Sequence, residues 1–364
     1  MPTTGHLCIA ICLLVSSPAA ATPLHSLVRK WSIKIGIDGL TRDERLDRVA
    51  RLNSEALAEI EGEAPTGAST YLRFLLEREK INDAVVQGVV RRVGREDAEA
   101  ALRLALDSRR RFEFTHFGVG ASGDLLTLIL VRRMARVTAR AKGGRLRVCV
   151  RLRAGSRVQR PRILVTRPSG ATFERAIRGR RGCTAVHARR KGRYQVEVMV
   201  EGRFGPEVAA LFPAYVGVAP PRMPVHRLYP DRDCDRGHVE IKLMHLLNKS
   251  RSGTGLRALS PSSALASVAR QHSQDMLLSG FFGHTSPTRG GLSRRLESSG
   301  LSYHHAAENL AVATRPEKAH ESLMGSPGHR QTILDPRGTH VGVGVATDPS
   351  SGLLFITQIV AQMR

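Results

Sequence analysis

Apolar residues change their spacing several times along this chain, and the changes mark out its organisation. Across "LDRVARLNSEALAEI", Leu46, Val49, Ala50, Ala56, Leu57 and Ile60 recur at three- and four-residue steps, the period of a helix with one buried face. From about Lys142 the period falls to two. "RLRVCVRLR" sets Leu146, Val148, Val150 and Leu152 on one face with Arg or Cys on the other, and "GRYQVEVMVEG" repeats the pattern through Tyr194, Val196, Val198 and Val200. Turns at "RPSG" and "RKGR" separate these runs, so a small antiparallel β-sandwich is expected over 140–220. The stretch "VAPPRMPVHRLYPDRDCDRG" is too rich in proline for helix or central strand, and 221–237 reads as a linker. Beyond Gly237 the helical period returns. "HVEIKLMHLLNKS" predicts one helix; a second opens at "SPSS", with Ser260 as N-cap and Pro261 at the first helical position, and stops at Gly280. "GLSRRLESSG" predicts a shorter helix, "RPEKAHESLMGSPGHRQTILD" two more broken at Ser326-Pro327, and "THVGVGVATDPSSGLLFITQIVA" a hairpin turning between Asp348 and Gly352.

One phrase occurs twice. Thr-His-x-Gly-Val-Gly stands at 115–120 and again at 339–344, an offset of 224. Two further pairs are collinear with it: "LDRVARLNS" matches "LASVARQHS" at an offset of 219, and "LRFLLEREKI" matches "LSRRLESSGL" at 220. Each copy of the phrase then enters an apolar strand, "LLTLILV" or "LLFITQIV". Collinear matches with a slowly growing offset are what an old duplication leaves. Residues 40–138 are therefore expected to fold as a reduced copy of 240–364.

Composition adds a compartment and a charge. The 364 residues are 41% hydrophobic, enough for packed cores, and the membrane-like stretch is N-terminal. There Leu7 to Val15 form an apolar core followed by Ala19-Ala20-Ala21, the small-residue pattern of a signal peptide over 1–21. Export to a secreted or periplasmic location follows, with no transmembrane segment after its removal, and makes a disulfide available. Of the three cysteines beyond the leader, Cys149 and Cys183 lie in one β segment and form the expected pair, leaving Cys234 over. The formal charge is +24, and 19 basic against 4 acidic residues crowd between Arg140 and Glu207. Such a field attracts an anionic envelope polymer or a lipid headgroup. Aromatic residues make up only 4% of the chain, too few for stacking platforms, so specific nucleic-acid recognition is not expected.

"FGHTSP" with His284, "AENLA" with Glu308, "SPGHRQTIL" with His329, "THVGVGV" and "FITQIV" follow one another over 238–364. In this order and at these intervals they resemble the bacterial branch of the CAP superfamily, also called SCP or PR-1-like. The resemblance implies an α-β-α sandwich, secretion, and a cleft with a His/Glu cluster, in which His284 and Glu308 take the places of the first His and first Glu. The family's second Glu would fall near Ser326 and its second His at Phe355, which leaves His329 as the remaining partner. In the reduced copy Gly88 stands at the place of Glu308, and Ala64 or Pro65 at that of His284.

Three roles are open to His284, Glu308 and His329. Two imidazoles and a carboxylate suit Zn2+ with an open position, His284 and His329 being the metal ligands, although no HExxH spacing accompanies them. Glu308 could be a catalytic base beside His284, or could hold it by a charge-assisted hydrogen bond. Alternatively His329 caps a helix and Glu308 anchors loop backbone. His304 and His305 lie near Glu308, His304 one helical turn before it if that segment is helical; they are expected to be exposed, and the alternative is that they supply a missing ligand. The whole chain is expected to be an α+β multidomain protein. A degenerate CAP-like α/β domain fills 22–139, the central antiparallel β-sandwich 140–220 and the CAP α-β-α sandwich 238–364. The leading functional reading is an extracellular binding module for an envelope component or an apolar, lipid-like ligand. The alternative is a metal-dependent hydrolase using the same cleft, and enzymatic activity is the lesser expectation.

Overall fold

The computed structural model describes residues 23–37, 39–58, 70–93, 97–109, 112–222, 236–349 and 351–364. The leader segment and Cys234 lie outside the described residues.

The N-terminal unit contains α1 (Leu24–Lys34), β1 (Thr41–Arg42), α2 (Glu44–Ala58), α3 (Thr70–Arg78), β2 (Val85–Arg92), α4 (Ala98–Asp107), β3 (His116–Ser122) and β4 (Leu125–Arg132). Its sheet has the order β1-β3-β4-β2, with β1 parallel to β3 and the other pairs antiparallel. The run "LLTLILV" is buried residue by residue because both faces of β4 are covered. On one face Leu46, Val49, Leu72 and Leu75 of α2 and α3 pack on Ile129 and Val131. On the other, Val28, Leu102 and Leu106 of α1 and α4 pack with Phe117, Leu128 and Leu130.

The middle unit comprises β5 (Ala135–Lys142), β6 (Arg145–Leu152), β7 (Gln159–Thr166), β8 (Thr172–Ala176), β9 (Arg181–His187), β10 (Gly192–Gly202) and β11 (Gly205–Val216). A sheet β5-β6-β9 faces a sheet β11-β10-β7-β8. Leu146, Val148 and Val150 from the first meet Ile163, Val165, Val196 and Val198 from the second, as the two-residue period requires. The sandwich begins at Ala135, ahead of the 140 expected. Ala135 and Val137 alternate inward with exposed Arg136 and Thr138, too short and too small an apolar set to stand out in sequence. Cys149 and Cys183 sit directly opposite each other on β6 and β9 and are disulfide-bonded, with Cα atoms 4.0 Å apart.

The C-terminal unit runs through α5 (Arg236–Ser252), β12 (Ser260–Pro261), α6 (Ser263–Leu278), α7 (Leu292–Glu297), β13 (Tyr303–Ala313), α8 (Pro316–Gly325), α9 (Pro327–Ile333), β14 (His340–Thr347) and β15 (Leu354–Met363). The sheet order is β12-β14-β15-β13. α6 covers one face, where Leu265, Val268 and Ala269 pack with Ile359 and Ala361. Val239, Leu243, Ala319, Leu323 and Ile333 of α5, α8 and α9 cover the other. Two expectations change here. The N-cap of α6 is Ser262, whose side chain accepts the Leu265 amide, because Ser260 and Pro261 stay extended beside β14. The segment carrying His304 and His305 is strand β13 rather than helix.

The outer sheets share strand order, and the shared phrase does the same work in both. Thr115 Oγ1 donates to Val131 O and accepts the Arg133 amide; Thr339 Oγ1 donates to Ala361 O and accepts the Met363 amide. A Cβ on Gly118 would lie 2.2 Å from the Leu46 carbonyl carbon, and one on Gly342 would lie 2.2 Å from that of Leu265. Glycine is needed because a helix backbone rests on the strand. Ser54 bonds Gly120 O and Thr127 Oγ1, and Ser273 bonds Gly344 O and Thr357 Oγ1. Gly88 pairs with Ile129 as Glu308 pairs with Ile359.

The units are in contact. The Leu211 amide donates to Asn82 O at 2.9 Å, joining sandwich to N-terminal unit. Buried Glu197 on β10 accepts from Ser326 Oγ and from the Gly328 amide at the start of α9. Phe112 stacks on Phe355 with ring centroids 6.0 Å apart. The tip of the β10–β11 hairpin reaches the loop after α6: the Thr285 amide donates to Phe204 O at 2.9 Å.

Candidate functional site

His284 is on the loop between α6 and α7, and four features fix that loop. Gly283 is pressed against the hairpin tip, where a Cβ would stand 2.4 Å from Phe204 Cβ. Ser286 Oγ donates to Asp275, one helical turn before the end of α6. His272, fully buried on α6, reaches Gly283 O through Nε2 at 3.0 Å. Arg295 on α7 donates through Nη2 to His284 O at 3.1 Å.

Glu308 on β13 is the hub. Its side chain is 2% exposed, and Oε1 receives His284 Nδ1 at 2.9 Å and Arg295 Nη2 at 3.1 Å. Oε2 receives Arg295 Nη1 at 2.9 Å, and His272 Nε2 stands 4.0 Å from Oε1. Burial would raise the Glu308 pKa, but the His284 hydrogen bond and the Arg295 charge and hydrogen bond outweigh it, so the group is held below the ordinary carboxylate value. An ionised carboxylate only accepts, so Nδ1 of His284 carries the proton and Nε2 is left for an incoming group. His272 is pushed down to about 4, by burial first and by Arg295 and His284 next, against the pull of Glu308. A neutral His272 donating through Nε2 leaves a bare Nδ1, and that atom is buried without a partner among the described residues.

His329 adds no hydrogen bond to this network among the described residues. Its carbonyl accepts Asn309 Nδ2 at 3.0 Å, while its ring makes no hydrogen bond among the described residues. Burial and then repulsion from His284 push its imidazole down to about 4. The cap of α9 is Ser326 rather than His329. His305 turns away to Asp335 at 3.0 Å, and His304 is exposed. Sequence reading missed Arg295 and His272. Both break an apolar stripe: Leu265, Val268, Ala269 and His272 follow helical spacing, as do Leu292, Arg295 and Leu296. A polar residue at a core position was the available signal.

A zinc ion does not suit this donor set. Among the described residues no three His, Cys, Asp or Glu side chains converge as a metal site requires, and both Glu308 oxygens are engaged by cationic or imidazole donors. As a base Glu308 is weak, since its pKa is low and its lone pairs are taken.

The sequence profile described as "Cysteine-rich secretory protein family" (CAP) matches residues 244–360. The C-terminal region belongs to the CAP superfamily. This CAP domain is similar to YkwD, an uncharacterized protein of Bacillus subtilis (strain 168), at 38% identity over 124 residues, 34% of this chain and 47% of that protein. It is also similar to the uncharacterized membrane protein YlbC of the same organism, 36% identical over 107 residues, 29% of this chain and 31% of that one. The matches thus span less than half the length of either relative. Among solved structures, an extracellular protein containing a SCP domain from Bacillus anthracis str. Ames aligns with 63% of this chain and 68% of its own, at 21% identity and a TM-score of 0.33. Despite the family's description, this CAP domain contains no cysteine after Cys234.

Proposed function

We propose that this chain is an exported binding protein whose CAP domain takes an apolar, lipid-like envelope component beside His284. The carrying observation is an aromatic cluster that abuts the His284 loop and draws on all three units. Phe281, Phe355 and Met276 are buried there, and Phe112, Phe204 and Phe282 pack around them only partly covered. Phe204 and Phe281 have ring centroids 5.1 Å apart, and Leu278 close by in sequence is 84% exposed. Half-covered aromatic surface beside one imidazole suits an amphiphile with a polar head. The saturated Glu308 speaks against hydrolysis. Export rests on the leader segment and agrees with the disulfide; among the described residues no helix is long and apolar enough to cross a membrane.

On the same reading the N-terminal unit is a degenerate second CAP copy that keeps the scaffold and has lost the cleft. The common strand order and the Gly88 register support it. Titration of the mature protein with dansylated palmitate tests the binding role. Saturable binding is expected, weakened roughly tenfold or more by Phe282→Ser, the value of one lost aromatic contact. Absence of saturable binding, or ester or peptide hydrolysis that disappears in Glu308→Gln, would overturn it.

A further inference from the structure

The outward face of the β5-β6-β9 sheet is a grid of basic side chains. Register places Arg136, Arg151 and Arg181 side by side in one row, Arg140 and Arg147 in another, and Lys142, Arg145 and His187 in a third, with the Cys149–Cys183 bond in the row between the first two. All eight basic side chains are exposed. None has a hydrogen-bond or ion-pair partner among the described residues, and no acidic residue occurs in any of the three strands. Like charges directly opposite one another destabilise a sheet. Here they are stacked three deep, and a covalent bond ties together two of the strands that repel.

We propose that this face docks a linear phosphodiester polymer, one that crosses the rows and follows β6, with its backbone phosphates stepping from row to row. Arginine forks pair with phosphate oxygens in two-pronged fashion, and Arg provides six of the eight positions. Alternate residues of β6 repeat at about 6.8 Å, two steps of about 3.4 Å, which suits successive phosphates of an extended chain. Among the described residues the large exposed apolar ones are Ile33, Leu104, Val218, Ile241 and Leu278, none of them on these strands, so nothing on this face would insert into a bilayer. The three strands also carry no aromatic side chain on which bases could stack. The opposite sheet is fixed to the CAP domain through Glu197, so the grid lies on the far side of the sandwich from that contact and leaves the His284 loop uncovered.

The test is binding of the mature full-length protein to immobilised poly(glycerol phosphate) over a salt series, with poly-glutamate, single-stranded DNA and phosphatidylglycerol vesicles as competitors. Tight binding that weakens steeply with salt is expected. The Arg140→Ser/Arg147→Ser pair should lose tenfold or more, and Arg257→Ser/Arg294→Ser, equal in charge but on the CAP domain, less than twofold. Removing repulsion should leave the melting temperature unchanged or raised, which separates lost contact from lost fold; Arg147→Gln alone replaces the pair if it does not fold. Equal losses in both pairs, or stronger competition from DNA, vesicles or poly-glutamate than from soluble poly(glycerol phosphate), would overturn the proposal.

Discussion

Glu308 shows how little of a site's chemistry a motif conveys by itself. "AENLA" marks the carboxylate, but only the fold reveals that Arg295 neutralises it and that His284 donates to it. Replacing Glu308 by Gln leaves a buried guanidinium without its counter-charge. A loss of about 3–5 kcal/mol is expected in urea unfolding, partly recovered when Arg295→Met is added. Acid sensitivity follows from His272. Its folded pKa is about 4 against an ordinary value near 6.5, so the native state binds the proton less well than the unfolded chain. The contribution is complete above pH about 6.5 and is lost as pH falls toward about 4. His272→Asn, which can still donate to Gly283 O, should therefore show a shallower fall in urea midpoint across that window than the wild type. His284 and Glu308 were legible as a pair. His329 was legible as a residue and not as a role, because sequence order says nothing about which face of β13 a neighbouring helix meets.

Among the elements, periodicity was informative wherever one face is buried and the other wet. β6 has that character, as does α2, and their inner residues were readable. It was uninformative where a segment is too short to have a period. β12 is two residues long and exists because the Ser260 amide finds Thr339 O, a pairing decided by tertiary contact. The glycines of the repeated phrase are the most exacting element-level feature. Gly342→Ala must push α6 off β14, and a loss of roughly 1–3 kcal/mol is expected by chemical denaturation, with Gly118→Ala giving a similar loss through α2. The disulfide closes a separation of 34 residues. Cys183→Ser should cost about 2–4 kcal/mol, and the deficit should vanish when both proteins are compared under reducing conditions.

At the scale of the whole molecule, the changes of period were legible in the sequence and the contacts between distant segments were not. The period changes at β5 and again at α5, whereas docking depends on side chains that look ordinary in sequence. Glu197 occupies an outward position in a strand, where a solvated carboxylate is the normal reading; instead it is buried, which raises its pKa despite the hydrogen bonds from Ser326 and Gly328. Glu197→Ala should split a single calorimetric transition into two, as the CAP domain and sandwich lose their shared polar contact.

Glu197 and Ser326 are 129 residues apart in the chain, and Phe204 meets Phe281 across the same junction. The CAP domain is thus gripped by surfaces made entirely from polypeptide synthesised before it. The contacts that make up that grip lie outside the segment between Val218 and Arg236. A protease that severs the chain there would yield two fragments that elute together from a sizing column and come apart only in denaturant.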